Sequence, residues 1–558
     1  MIGRDTYILL LQMKRYKLLV IALMMISSGV YAQAPGPLET MVQQAIAKAY
    51  PASVRMWGYD TASRQQMSAQ FSAVVVSPDG DILTAAHTST PGKTYKVMFP
   101  DGREAIALAL GKIELADDPT VPDVSRMKII TPGIWPYAEM GYSASLQQDQ
   151  PCISIAYPES LNQPLPTVRF GRIASTGNER GFLQSTCIME PGDSGGPLFD
   201  FLGRVIGIHS AINIPESFNY EIPVDLYRKY RTALQTAKKY NAMPEVTDAV
   251  GNDPEAAQLK AYAVPENLPA IFSTAKKACL LITSQVKHKA ENIYGTAFTG
   301  GYIVSKSSLV GDAPFVQLGR QKVKATIVRR DRENDLVLLQ VKKGIKDGIA
   351  IPAEKPDSLS FAQLGKFLVS PRLDTSNAVS VTGSLPFSLP KINSIGFLGA
   401  SIAHRSGPLL LTFVRKNSPA FAGGLSVGDE VISINGIALQ QAEDYGEALQ
   451  PYWPGDTVAL QLKRGDSLYT KQVVLGNKPQ IPGNHPAEMF AGGKSMRRDG
   501  FARVFAHDAV LTPDQCGGPV FDADGRFQGI NIARYSRTST IAVPAEVVWT
   551  FLKGGELP

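Results

Sequence analysis

Among its 558 residues this chain has only four cysteines, six histidines and four tryptophans, and 8% aromatics. Four cysteines (Cys152, Cys187, Cys279 and Cys516) in so long a chain do not make a disulfide framework. Cys152 and Cys187 fall within one domain, and spacing alone leaves their pairing open. A dominant charge sign is also missing: 56 Lys and Arg stand against 50 Asp and Glu, a net of +6. Arg4, Lys14, Arg15 and Lys17 against Asp5 place +3 of this in the first 32 residues, leaving +3 elsewhere. With no Lys/Arg-rich run either, nucleic acid is excluded as an expected partner. Beyond the first segment no apolar run is long enough to cross a bilayer as a helix.

Glycine and proline, by contrast, are plentiful, at 49 and 39 residues. They suit a mainly β, loop-rich fold better than a helical bundle. The length requires more than one core, and two to four domains are expected. Residues 1–32 read as a cleavable signal peptide. Met13-Lys14-Arg15-Tyr16-Lys17 is a basic start, Leu18 to Met25 a short apolar core, and Val30-Tyr31-Ala32 a cleavage site before Gln33. Met13 fits as the start of this signal better than Met1. The expected destination is secreted or periplasmic, with no integral membrane segment after cleavage.

The chain is organised around Pro191-Gly192-Asp193-Ser194-Gly195-Gly196-Pro197-Leu198. A serine between glycines in a tight turn offers a nucleophile beside backbone amides able to hold an oxyanion. Alone, such a string also suits a plain polar turn. Ser194 needs a base and the base an orienting partner. Upstream, Phe71 to Val76, the turn Pro78-Asp79-Gly80 and Ile82 to Ala86 read as a hairpin that ends at His87. Of the aspartates between His87 and Ser194, the nearby candidates are Asp117, Asp118 and Asp123. Asp123 opens the alternating strand Val124 to Ile129, which would hold it rigidly, whereas Asp117 and Asp118 sit in a polar turn.

Thr84-Ala85-Ala86-His87, Asp123 with its strand, and Pro191 to Leu198 resemble the trypsin-like proteases, most closely the bacterial HtrA/Deg branch. The likeness continues through Phe199-Asp200-Phe201-Leu202-Gly203-Arg204-Val205-Ile206-Gly207-Ile208. It implies two six-stranded β-barrels with a triad in the cleft between them, and endopeptidase activity on polypeptides without metal or cofactor. His87 would be the base, Asp123 its orienter, and the amides of Gly192 and Ser194 the oxyanion hole. The resemblance puts the specificity pocket at Ile188 and Ser210, and an isoleucine there favours small or medium apolar side chains. His209, on the adjoining strand, suits a structural role better than a substrate contact.

A damaged copy follows. Pro513-Asp514-Gln515-Cys516-Gly517-Gly518-Pro519-Val520-Phe521-Asp522 repeats Pro191 to Asp200 at a constant offset of 322 residues. Gly301 to Val310 has the shape of the histidine segment, with Ser308 in the histidine's place, and Glu333 to Val341 that of the aspartate strand, with Asp335. The degenerate triad is therefore Ser308, Asp335 and Cys516. Ser308 is no base, and His288, His404, His485 and His507 match no motif. Asp514 replaces the oxyanion glycine, so this copy reads as a pseudoprotease rather than a cysteine hydrolase.

The Asp-to-nucleophile separation is 71 residues in the first copy and 181 in the second. The excess of 110 fits an inserted module. Gly424 to Gly436 resembles an HtrA-type PDZ domain, a fold that binds C-terminal peptides by strand addition. By position the peptide site is Gly407, Pro408, Leu409, Leu410 and Leu411, beside a helix from about Asp444 to Leu449. The expected layout is a signal peptide (1–32), a trypsin-like domain (40–245), a linker (246–268), a degenerate trypsin-like domain (269–395 and 478–558) and the PDZ domain (396–477). HtrA proteases are often trimeric, and a homo-oligomer is compatible with the chain. The competing reading is an inactive peptide-binding scaffold: Gln70-Phe71-Ser72-Ala73 lacks the glycines usual in the family, and Arg126 makes the aspartate strand more polar.

Overall fold

The computed structural model describes residues 37–115, 123–259, 275–286, 289–342, 344–374, 376–403, 407–480 and 483–554. The signal segment, Asp117, Asp118, His288 and His404 lie outside them. From Leu38 onward the chain clusters as one unit.

The described chain opens with helix α1 (Pro37–Ala49). Its apolar stripe of Leu38, Val42, Ala45, Ile46 and Ala49 is buried. That stripe shares one core with Phe199 and Val205 of the first half and with Leu364, Phe367 and Val381 of the second. Glu39 Oε2 accepts from the Phe367 amide at 2.7 Å, so one helix ties both halves.

The strand signals of the first half close into two barrels. Strands β1 to β6 (Ser53–Asp60, Phe71–Val75, Asp81–Ala85, Thr94–Met98, Glu104–Ile113 and Val124–Ile129) pair in the order β5-β4-β1-β2-β3-β6, and β6 returns to β5. In β5, Ala105, Ala107 and Ala109 point inward while Ile106 and Leu108 are half-buried, the period-2 pattern of a barrel wall. Strands β7 to β12 (Pro151–Ala156, Thr167–Ser175, Leu183–Ser185, Pro197–Phe199, Val205–Ile212 and Asn219–Pro223) close in the order β9-β12-β11-β10-β7-β8.

The second half repeats this with looser closure. Strands β13 to β19 (Cys279–Val286, Lys289–Phe298, Tyr302–Lys306, Asp312–Leu318, Gln321–Lys324, Thr326–Asp331 and Leu336–Gln340) form the sheet β17-β16-β13-β14-β15-β19-β18. Strands β20 to β22 (Phe367–Pro371, Asn377–Val381 and Phe387–Leu389) then lead into the insertion. Its strands are β23 (Ala400–Ile402), β24 (Leu411–Val414), β25 (Glu430–Ile434), β26 (Thr457–Arg464) and β27 (Ser467–Val474), and its helix is α2 (Ala442–Leu449). The barrel resumes with β28 to β31 (Phe501–His507, Pro519–Asp522, Phe527–Arg534 and Thr540–Pro544), ordered β21-β20-β29-β30-β31-β28-β22. A bridge between Thr382 and His507 brings β21 back to β28. The fold is thus mainly β, two double barrels in tandem with a small α+β module inserted in the second.

The stretch expected as a linker is fastened over its described part. Arg204 Nη1 bonds Asp253 Oδ1 at 2.9 Å and Glu255 Oε2 at 2.8 Å, and Arg204 also binds buried Asp200. Residues 246–259 therefore belong to the first half: their carboxylates neutralise an arginine that would otherwise be buried beside Asp200 alone.

Candidate active site

Two short turns meet between the first two barrels. Strand β3 ends in a single turn, Ala86–Thr88, that carries His87. Register pairs Ala85 with Val124, so Asp123 lands beside that turn. The Asp123 carbonyl accepts from the Ala86 amide at 2.9 Å, and Oδ1 from the His87 amide at 2.7 Å. Oδ2 bonds His87 Nδ1 and accepts from Ser210 Oγ at 3.0 Å. Burial pulls the imidazolium down, but the hydrogen bond and charge of Asp123 outweigh it and leave the His87 pKa raised. Strand β2 carries Ser72, whose Oγ donates to Gly192 O at 2.7 Å and accepts from Tyr157 N at 2.9 Å. Its amide donates to Ser194 O at 3.0 Å. Ser72 thus moors the serine turn to the first barrel, a role that no local sequence signal announced.

Gly192 has φ +94°, and a Cβ there would lie 2.4 Å from Glu159 N and 2.6 Å from Tyr157 O. Gly195 has φ +80°, with a Cβ position only 2.0 Å from Thr84 Oγ1. Both glycines are required by geometry, not merely tolerated. Among the described residues the amides of Gly192 and Ser194 take no acceptor within the protein. They border a cavity of about 580 Å³ that His87, Ser194 and Ser210 also line. Ser194 Oγ makes no hydrogen bond to His87 among the described residues, a pairing that often tightens only when substrate arrives.

Of the two residues expected at a specificity pocket, Ser210 borders this cavity and Ile188 does not. Ile188 is half-buried and does not line the cavity; its carbonyl accepts from Arg169 Nη1 at 3.3 Å. Met189 and Ile212 line it instead, and Ser210 adds its hydrogen bond to Asp123. The second half contributes His485 and Pro486 to the same wall, which the sequence did not suggest. His209 is fully buried with Nε2 2.7 Å from Ser154 Oγ, and burial pulls it down to about 3, so it is a neutral structural group. Cys152 and Cys187 lie with sulfurs 3.9 Å apart as buried free thiols.

The second copy keeps the same frame with different side chains in it. Ser308 N and Oγ donate to Asp335 at 2.7 and 2.8 Å, mimicking His87 on Asp123. Buried Lys306 adds an ammonium 2.7 Å from Asp335 Oδ2 and donates to Ile532 O, the counterpart of Ser210, at 2.8 Å. The turn before Cys516 is a short helix, Pro513–Gln515, and the Cys516 amide donates back to Pro513 O at 3.4 Å. Cys516 is fully buried, burial raises its thiol, and its sulfur lies 3.9 Å from both Ser495 Oγ and Thr512 O.

In the inserted module the expected peptide site is misplaced. Leu409 and Leu411 lie in the module's core. The Leu411 amide and carbonyl are already bonded to Asp429 and Gly428 at 2.8 Å each, so β24 has no edge to give there. The open edge belongs to β23, which pairs with β24 on one side only and faces α2. Tyr445 of α2 donates to Ala400 O at 3.0 Å.

Comparison with known proteins accords with this geometry. The trypsin-like peptidase domain family matches residues 71–208, spanning the histidine hairpin, the aspartate strand and the serine turn. The first double barrel is a trypsin-like peptidase domain. Residues 396–475 match the PDZ domain family, so the insertion is a PDZ domain. The peptidase domain is 30% identical over 176 residues to a putative serine protease HhoB of Synechocystis, covering 30% of this chain and 41% of that protein. It is 31% identical over 174 residues to the serine protease HTRA1 of Xenopus tropicalis, covering 30% and 36%. A probable periplasmic serine endoprotease DegP-like of Bartonella henselae is 30% identical over 157 residues, covering 27% and 29%. The matches span about two fifths or less of these relatives' lengths. A serine endoprotease structure from Yersinia pestis aligns over 80% of this chain and all of its own, at 16% identity and a TM-score of 0.30.

Proposed function

We propose that this chain is an exported serine endopeptidase that cleaves polypeptides through His87, Asp123 and Ser194. The observation that carries the reading is the Asp123–His87 pair facing Ser194 across one cavity, beside two amides that take no acceptor among the described residues. His87 would take the Ser194 proton and return it to the leaving amine, while Asp123 fixes the tautomer and stabilises the imidazolium. The Gly192 and Ser194 amides would hold the oxyanion, where losing one donor typically costs ~10²–10³ in rate. Met189 and Ile212 favour apolar side chains in the pocket. Unfolded or misfolded envelope proteins fit as substrates, and the DegP-like relatives support a periplasmic setting.

The second double barrel acts in this reading as a pseudoprotease, supported by the amino-neutralised Asp335, the helical turn at Asp514 and the buried Cys516. The PDZ domain recruits C-terminal peptides along β23. A fluorophosphonate probe tests the assignment: the folded wild type should be labelled and Ser194→Ala should not. Absence of wild-type labelling would favour the scaffold reading.

A further inference from the structure

Asp193 holds no reacting atom, yet it sits between Gly192 and Ser194 and decides how their amides lie. Its side chain turns away from the cavity into the second barrel, where Arg169 takes both of its oxygens. Nη1 lies 2.8 Å from Oδ2 and Nη2 2.9 Å from Oδ1, with both side chains only 1% exposed. The Glu190 amide donates to Oδ2 at 2.9 Å, and Arg169 Nη1 reaches the Ile188 carbonyl. A planar fork therefore spans the base of the whole 188–194 loop. Bidentate arginine–carboxylate pairs fix direction as well as distance. Buried ion pairs are poor devices for stability alone, because desolvating two charges offsets most of their attraction. Geometry is the better account of this one.

Arg169 is itself held from outside its own barrel. It lies on β8, which pairs with β7 along one edge at this level. On the other edge the Val168 amide donates to Gly383 O at 2.8 Å and the Phe170 amide to Asp508 Oδ2 at 2.9 Å. The other oxygen of Asp508 accepts from the Val381 amide at 2.8 Å. Phe170 also packs edge-on against Phe367, ring centres 5.1 Å apart. Gly383, Asp508, Val381 and Phe367 all belong to the degenerate half. The degenerate half thus supplies the acceptors for the two N–H groups flanking Arg169, where a neighbouring strand or water would otherwise stand.

We propose that Arg169 is a positioning residue for the oxyanion turn, and that the degenerate half serves as a built-in activator by clamping the strand that carries it. The inference rests on reading the first half as a serine peptidase. It gives the inactive copy a mechanical role. That half holds β8 so that the Arg169 fork sets Asp193, and Asp193 sets the Gly192 and Ser194 amides.

The test uses the full-length mature chain. Fluorophosphonate labelling is measured, along with initial rates on a fluorescent unfolded protein over a range of concentrations, for wild type, Arg169→Lys, Arg169→Met and Asp508→Ala. Folding is followed by circular dichroism and thermal unfolding. Arg169→Lys keeps the charge but loses the fork, and should lower kcat about 10- to 100-fold with KM within about 3-fold. Arg169→Met should fall further, and Asp508→Ala should lower kcat by about 3- to 10-fold through the strand alone. Folded Arg169→Lys with wild-type kcat and a lowered Tm would show a purely structural ion pair and overturn the positioning role. Full activity in folded Asp508→Ala would overturn the activator role. Should Arg169→Met fail to fold, Arg169→Lys carries the test. An unlabelled wild type would overturn the peptidase reading and the positioning role with it, whereas a labelled wild type with unaffected variants overturns the positioning role alone.

Discussion

Ser308 Oγ lies 2.8 Å from Asp335 Oδ2, the position His87 occupies against Asp123 in the other half. The pairing survived the loss of the imidazole because the serine amide also binds the carboxylate, at 2.7 Å, just as the His87 amide does. A carboxylate that accepts backbone N–H groups holds its turn whatever side chain projects from it.

Restoring side chains to the second copy should therefore not restore chemistry. In a Ser194→Ala background, Ser308→His with Cys516→Ser is expected to label with fluorophosphonate at less than ~10⁻² of the wild-type rate, since one of the two oxyanion donors stays turned to another acceptor. The Cys516 amide is spent on Pro513, and Lys306 fills the space beside Asp335. Labelling at position 516 above that level would sink the pseudoprotease assignment.

The pH profile should carry the mark of Asp123. The neutral imidazole is the base, and its raised pKa moves the acidic limb of kcat/KM above the ordinary ~6.5 for histidine. For stability the sign is opposite. The pair stabilises while His87 is protonated, fully so below the unfolded pKa, and that contribution is lost as pH rises through the raised folded value. An acidic limb centred below about 6.5 in the wild type would contradict the coupling.

Removing apolar volume from α1 should weaken both halves together. Ile46 is buried in the core shared by the two, and Ile46→Ala is expected to cost about 2–5 kcal/mol. Urea unfolding followed by tryptophan fluorescence should show every transition moving to lower denaturant. A shift confined to one transition would mean that the halves are energetically separate.

The PDZ groove offers a gain-of-binding test. Tyr445 donates to Ala400 O on the open edge, where an added strand would pair. Tyr445→Phe frees that acceptor and should tighten the binding of a fluorescein-labelled peptide pool with free C termini about 2- to 5-fold by fluorescence polarisation, in line with one hydrogen bond. Unchanged affinity, or no binding to either protein, would place the peptide site elsewhere.

Local chemistry in the sequence determined the serine turn, with its glycines at Gly192 and Gly195, the hairpin ending at His87, the strand opened by Asp123, and the 322-residue repeat that exposed the damaged copy. Turn residues and period-2 alternation report backbone conformation, and those features need nothing else. Tertiary structure alone decided which edges and surfaces were taken. The PDZ domain's open edge falls at β23 and not at Leu411 because a strand's free edge depends on which neighbours claim its amides, and Gly428 and Asp429 are not legible as neighbours in a string. Met189 and Ile212, rather than Ile188, line the cavity, because a loop's course past a cleft depends on what the rest of the fold packs against it. Ser72, Asp508 and His485 reach across barrels, through contacts that span up to several hundred residues of chain. No periodicity encodes such distances; only the docking of one double barrel on the other does.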